Sequence, residues 1–199
     1  MKDLFINNSL NIIKRNNPNY SEEKIEEIEY GLVGLYLTIS KTIIIILIAL
    51  ILGIVKELII FTIIYNIIRM PSFGLHAKSS IACLVSSAIM FIGIPYLCVL
   101  VQIPFLIKLT LGIIGVVLIA KNSPADTEKR PIVSPKRRRN YKIISTILAV
   151  IFVITSIMIS DNFLSNCFTI SLILQCIITA PTTYKLFNMP YDNYKNYLD

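Results

Sequence analysis

Residues 79–107 read SSIACLVSSAIMFIGIPYLCVLVQIPFLI, with no charged side chain between Lys78 and Lys108. A run of at least ~18 apolar residues is long enough to cross a bilayer as a helix. Two further uncharged stretches follow, from Ile143 to Ser160 and from Asn162 to Tyr184. The whole chain of 199 residues is 55% hydrophobic and 16% charged, with a mean hydropathy of +0.70. A soluble domain carries about 25% charged residues, so this composition indicates an all-α, polytopic integral membrane protein. The opening residues mix Asn, Lys and Arg with Leu and Ile and lead to no small-residue cleavage site, which does not fit a signal peptide.

Working outward from these runs gives six spans. They cover roughly residues 36–55, 57–70, 80–101, 104–120, 143–160 and 163–180. Before them, residues 1–35 form a cytoplasmic amphipathic region. Leu4, Phe5, Ile6, Leu10, Ile12 and Ile13 make a segment suited to the membrane surface, and Asn16-Asn17-Pro18-Asn19 breaks it. Ser21 then reads as a helix N-cap, with Glu22 and Glu23 in the first turn, where the helix dipole favours carboxylates. That helix runs on into the first span. The second span, Glu57–Met70, is short, about 20 Å at 1.5 Å per residue against a hydrocarbon core of about 30 Å. Either the bilayer is pinched there or the polar segment after it lies below the membrane surface. The third span is expected to bend near Pro95.

Charge sets the orientation. Basic residues gather in the N-terminal arm, around Arg69 and Lys78, in a basic loop over 121–142, and in a tail over 181–199. The turns near Lys56, Gln102 and Asp161 are almost bare of them. By the positive-inside rule, six spans place all four basic regions and both termini in the cytoplasm. The net charge of +7 is then a topology signal and not a nucleic-acid surface. The run Lys136–Arg139 reads first as a signal facing lipid headgroups.

The chemistry-bearing residues lie in the polar break before Ser79. His76 is the single histidine, and Cys83 is one of four cysteines. A base of near-neutral pKa beside a thiol is the minimum needed for thiolate attack on a carbonyl. Zinc needs three or four ligands, so no metal or other cofactor is expected. Cys98, Cys167 and Cys176 read as small apolar core residues. Spacing raises a difficulty, since seven residues of continuous helix span about 10.5 Å while base and nucleophile need roughly 2.6–3.2 Å. Phe73-Gly74-Leu75-His76 is therefore expected to be a turn, with Ser79 or Ser80 capping the next helix. Cys83 then stands near that helix's first turn, where the dipole lowers a thiol's pKa, and Lys78 adds a favourable cation. A trans arrangement across a homodimer would also solve the geometry.

These residues resemble the accessory gene regulator B (AgrB) family of membrane cysteine endopeptidases. The family pattern of an arginine, a glycine-histidine-alanine core and a cysteine seven residues after the histidine is met by Arg69, Gly74, His76, Ala77 and Cys83. A second block, Ser123 to Ile132, resembles the family's element of Pro-Ala followed by Lys-x-Pro-Ile in the central loop and brings in Asp126, Lys129, Arg130 and Pro131. Members often carry two glycines before the histidine segment, and here Phe73 stands at the first. The family's six-span topology, with both ends inside, covers nearly the whole chain.

The resemblance implies a multi-pass cell-membrane enzyme with its active site on the cytoplasmic face, working on an AgrD-like propeptide among membrane lipids. Cys83 would attack the scissile carbonyl with His76 as base, release the C-terminal tail, and hold the remainder as a thioester. A thiol or hydroxyl of the substrate would then close a thiolactone or lactone ring. Arg69, Gly74, Lys78, Ser80, Asp126, Lys129, Arg130 and Pro131 are the candidate supporting residues. For Arg69, a positive-inside anchor and a contact to a substrate carboxylate are the two readings. Two rival functions remain, a small peptide exporter and a noncatalytic membrane scaffold.

Overall fold

Ser21 begins a helix because its hydroxyl and carbonyl take up two of the donors that a helix start leaves free. Lys24 N–H donates to Ser21 Oγ at 3.3 Å, and Ile25 N–H to Ser21 O at 3.1 Å. In the computed structural model, which describes residues 2–75, 80–128 and 131–197, this helix is α2, Glu22–Leu52. It runs without a break into the first expected span. Ahead of it, α1 (Lys2–Asn16) buries Ile6 and Leu10 and packs on α2, with the Phe5 and Tyr36 rings 5.7 Å apart. These two helices make one compact unit, and residues from Gly53 onward make a second.

The second unit is a helical bundle. Its helices are α3 (Val55–Ser72), α4 (Ser80–Ala88), α5 (Ile94–Leu100), α6 (Phe105–Asn122), α7 (Pro135–Met158), α8 (Asn162–Thr179) and the short α9 (Pro181–Leu186). A π-helical turn, Ile89–Gly93, joins α4 to α5 just before Pro95. The proline has no N–H to donate and its ring crowds the carbonyl four residues back, so the chain widens by one residue there. The bend expected near Pro95 takes this form.

Among the described residues, five helical stretches are long and apolar enough to cross a membrane. They are α2, Ala82–Leu100, α6, α7 and α8. The second expected span corresponds to α3, which differs from the sequence reading in length. It extends over 18 residues, roughly 27 Å at 1.5 Å per residue, because Pro71 fits within its last turn. Lys56 and Glu57 lie at one end and Arg69 at the other. Leu58, Phe61, Ile64, Tyr65 and Ile68 are buried at helical spacing, facing α7 and α8.

Helix α8 is central, packing on α3, α5, α6, α7 and α9. Its small and amide side chains permit this by bonding to backbone inside the bundle. Asn166 Nδ2 donates to Cys98 O at 3.0 Å and Val101 O at 2.6 Å. Lys108, a cation inside the fourth expected span, is buried and donates to Ser165 Oγ at 2.5 Å. Close approach of α6 rests on two glycines. A Cβ at Gly112 would stand 2.8 Å from Val153, and one at Gly115 2.9 Å from Leu172, the small-residue interface familiar between membrane helices.

Two further segments differ from the sequence reading. Helix α7 begins at Pro135, inside the stretch read as basic loop, since Ser134 caps it by accepting from Arg137 N–H at 3.5 Å and Pro135 suits the first helical position. The connection between α6 and α7 is therefore only residues 123–134. The C-terminal stretch folds back as α9 and a 3-10 turn, Asn193–Tyr197, and buries Tyr184 and Asn193.

Candidate active site

Helix α3 ends at Ser72 because the next two residues leave right-handed space. Phe73 has φ +57° and ψ −139°, and Gly74 has φ +115°. Only glycine takes such torsions at little cost, so Phe73 holds a strained backbone here. A Cβ on Gly74 would also lie 2.6 Å from Arg69 Nη1 and 2.7 Å from Ile178 Cγ2.

The turn is then stitched to the connection between α6 and α7. Gly74 N–H donates to Ala125 O at 2.7 Å and Ala125 N–H to Ser72 O at 3.0 Å, forming a parallel bridge between Phe73 and Ala125. Leu75 N–H reaches Ile178 O at 3.3 Å. Arg69, one helical turn earlier, folds its guanidinium over the same turn. Nη1 donates to Phe73 O at 2.6 Å, and Nη2 to Leu75 O at 2.9 Å and Gly74 O at 3.4 Å. From α8, buried Gln175 adds a bond from Nε2 to Phe73 O at 2.7 Å, while its Oε1 has no hydrogen-bond partner among the described residues. The Phe73 ring meets Tyr141 of α7 edge-on at 5.1 Å.

Asp126 anchors the other side of this seam. It is 1% exposed, and its Oδ2 accepts from Tyr194 N–H at 3.0 Å and Ile132 N–H at 3.2 Å, with Arg138 Nη1 at 3.5 Å. The Tyr184 hydroxyl donates to Ala125 O at 3.2 Å and Asp126 O at 3.1 Å. Arg138 lies over the Tyr194 ring at 3.5 Å and 3.7 Å from Asp192. Burial pushes the Tyr184 hydroxyl well above its ordinary pKa and Tyr191 up to about 12, the latter helped by neighbouring Asp192. Both phenols are therefore neutral donors at physiological pH. Lys195, hydrogen-bonded to Asp192, is raised as well.

Cys83 is the fourth residue of α4, at the close of its first turn as the sequence reading expects. It is half-buried, whereas Cys98, Cys167 and Cys176 are all sealed within the bundle. His76, Lys78, Lys129 and Arg130 lie outside the described residues. Ser80 is the first residue of α4, and Pro131 is half-buried in the connection to α7. Of the residues singled out from sequence, the fold brings Arg69, Gly74 and Asp126 together through Phe73 and Ala125. The donors of Arg69 point at its own chain. Gln175, Tyr184, Arg138 and Asn193 join the same seam without any signal in the sequence, since their partners lie tens of residues away and form no local pattern.

A family model described as Accessory gene regulator B matches residues 6–179. An AgrB-like protein of Clostridium acetobutylicum is 31% identical over 84% of this chain and 80% of its own length. An AgrB-like protein of Listeria monocytogenes is 29% identical over 88% of this chain and 86% of its own. The accessory gene regulator protein B of Staphylococcus aureus is 32% identical over 59% of this chain and 62% of its own. No solved structure matches the chain significantly.

Proposed function

Because the chain belongs to the accessory gene regulator B family, we propose that it is the membrane endopeptidase that matures the signalling peptide of an agr-type quorum-sensing system, with Cys83 as nucleophile and His76 as base. The observation that carries this reading is the exposure pattern of the thiols. Three of the four are buried among apolar side chains, where a thiol is inert, while Cys83 is partly open in the first turn of a helix. The positive end of the helix dipole lies there.

In the proposed reaction His76 takes the Cys83 proton and the thiolate adds to the scissile carbonyl of an AgrD-like propeptide. The C–N bond breaks, His76 returns the proton to the departing amine, and the C-terminal tail leaves. The N-terminal portion remains as a thioester on Cys83. A thiol or hydroxyl within that portion then attacks the thioester carbonyl, closing a thiolactone or lactone, and the sulfur of Cys83 is released and reprotonated. Water must be kept from the thioester meanwhile.

The clamp on residues 73–75 supports this reading from the other side. Arg69, Gly74 and Gln175 fix the backbone of residues 73–75, and Asp126 holds the connection whose Ala125 pairs with that turn. They are positioning residues in this account. Lys78, Ser80, Lys129, Arg130 and Pro131 remain candidates for substrate contact, the site facing the cytoplasm by the charge bias of the loops. A homodimer offers a second route for bringing His76 to Cys83.

Co-expression with a matching propeptide tests the proposal. Cleavage is followed for wild type, Cys83→Ala and His76→Ala, with protein level measured alongside. Loss in both variants at unchanged level is expected, and Cys83→Ser should accumulate no thioester. Retained cleavage by Cys83→Ala would remove the mechanism. Secretion of uncleaved propeptide would favour the exporter.

A further inference from the structure

Where α6 ends and α7 begins, a cleft of about 420 Å³ opens beside the seam, large beside the ~30 Å³ that one water occupies in the liquid. Its walls carry Lys121, Arg138, Arg139 and Lys142 against the single carboxylate of Asp192. Asp192 is already matched by Lys195 at 2.7 Å and Arg138 at 3.7 Å. Among the described residues no carboxylate pairs with Lys121, Arg139 or Lys142. Arg139 and Lys142 are spaced three apart, on one face of α7.

Lys121 lies in the last turn of α6, where the helix dipole favours a cation, whereas Arg139 and Lys142 lie beyond the first turn of α7 and gain nothing from its dipole. The surplus positive charge of these side chains favours an anion in the cleft. Membraneward of the cations, the two helices turn apolar and open. Val117 and Leu118 stand one turn before Lys121, and Ile143, Ile144 and Ile147 follow Lys142, all exposed. An anion held here with hydrocarbon chains attached would lay them along α6 and α7.

We propose that this cleft is a docking site for the phosphate headgroup of an anionic phospholipid, bound by Lys121, Arg139 and Lys142. The site does not depend on the peptidase reading. Bound lipid would bridge the end of α6 to the start of α7, and so brace the connection that Ala125 and Asp126 occupy.

The test titrates the full-length protein in neutral detergent with phosphatidylglycerol, phosphatidylcholine, inorganic phosphate or an acidic peptide, and follows binding and thermal unfolding. Phosphatidylglycerol should bind and raise Tm, and phosphatidylcholine should not. Each cation near an anionic headgroup contributes about 1 kcal/mol, so Lys121→Gln/Arg139→Gln/Lys142→Gln should weaken phosphatidylglycerol on the order of 100-fold. Arg139→Gln alone should weaken it roughly fivefold by the same arithmetic, and serves if the triple variant misfolds. Lys136→Gln/Arg137→Gln/Lys185→Gln removes equal charge outside the cleft and should bind close to wild type. Equal loss in both triple variants would reduce the effect to diffuse surface charge. Phosphatidylcholine binding as well, or phosphate alone matching the lipid, would overturn the headgroup assignment. Binding of the acidic peptide in place of the lipid would make the cleft a peptide site.

Discussion

Arg69→Lys separates the possible roles of this cation, because it keeps the charge and removes the fork. A positive-inside anchor needs only a cation, and lysine serves as well as arginine. A clamp needs a planar guanidinium that reaches two carbonyls at once, which a single ammonium on a flexible stem does not replace. Of the three contacts, those to Phe73 O at 2.6 Å and Leu75 O at 2.9 Å are strong, and the one to Gly74 O at 3.4 Å lies near the limit of a hydrogen bond. Hydrogen bonds to a charged group contribute about 1.5–3 kcal/mol each. If lysine keeps one of the two strong bonds, the closed turn loses roughly that amount, a 10- to 100-fold fall in its equilibrium constant. Amide exchange reads this directly. The N–H groups of Gly74 and Ala125, bonded across the seam, should exchange faster by the same factor, and propeptide cleavage should fall at unchanged protein abundance. Wild-type exchange and cleavage in Arg69→Lys would show that the guanidinium holds nothing, and the clamp would be discarded.

Four further outcomes follow from the same seam. Gly74→Ala puts a Cβ against Arg69 and Ile178 at φ +115°, so strain and overpacking of about 1–3 kcal/mol each should abolish cleavage and lower Tm, as measured on purified protein. Phe73→Gly relieves about 1–3 kcal/mol of backbone strain but loses the edge contact to Tyr141, worth about 0.5–1.5 kcal/mol, so its Tm should stay near wild type and cleavage should persist. Tyr184→Phe removes one donor shared by two carbonyls that keep other partners, Gly74 N–H on Ala125 O and Asn193 on Asp126 O. Its cost should therefore sit near the lower end, about 1 kcal/mol, measured by chemical or thermal unfolding. Tyr191, raised to about 12 by burial, keeps its proton in the fold at a pH where the unfolded chain, titrating near 10, has lost it. Stability should be flat in this group below pH 10 and decline as pH climbs from 10 to 12, and Tyr191→Phe should flatten that part of the Tm–pH curve.

The membrane helices were legible because each needs only a long run without charge, a property of neighbouring residues. The cap at Ser21 and the turn that begins at Phe73 and Gly74 were legible for the same local reason. The start of α7 was not. Lys136 to Arg139 oppose the helix dipole and read as loop, and only the Ser134-Pro135 cap signal, which the charges obscured, marks the true boundary. The length of α3 was underread because a proline near a helix end looks like a stop, although Pro71 fits within the last turn. Lys108 was passed over inside an apolar run, and its burial against Ser165 is a property of packing.

At the site, the residues picked from sequence separate by what their atoms touch. Arg69 and Gly74 meet the pattern of the accessory gene regulator B family and Asp126 lies within its second block, and their bonds here go to backbone: three carbonyls, one amide pairing, and two amides of the connection and tail. A substitution at any of them can abolish the proposed cleavage by loosening residues 73–75 without touching a substrate. The same holds for Gln175 and Tyr184, which no pattern marks. Loss of activity alone therefore does not identify a catalytic residue in this segment. The distinction lies in exchange rates at Gly74 and Ala125, which should move when a positioning residue is changed and stay fixed when only the proposed nucleophile, Cys83, is removed.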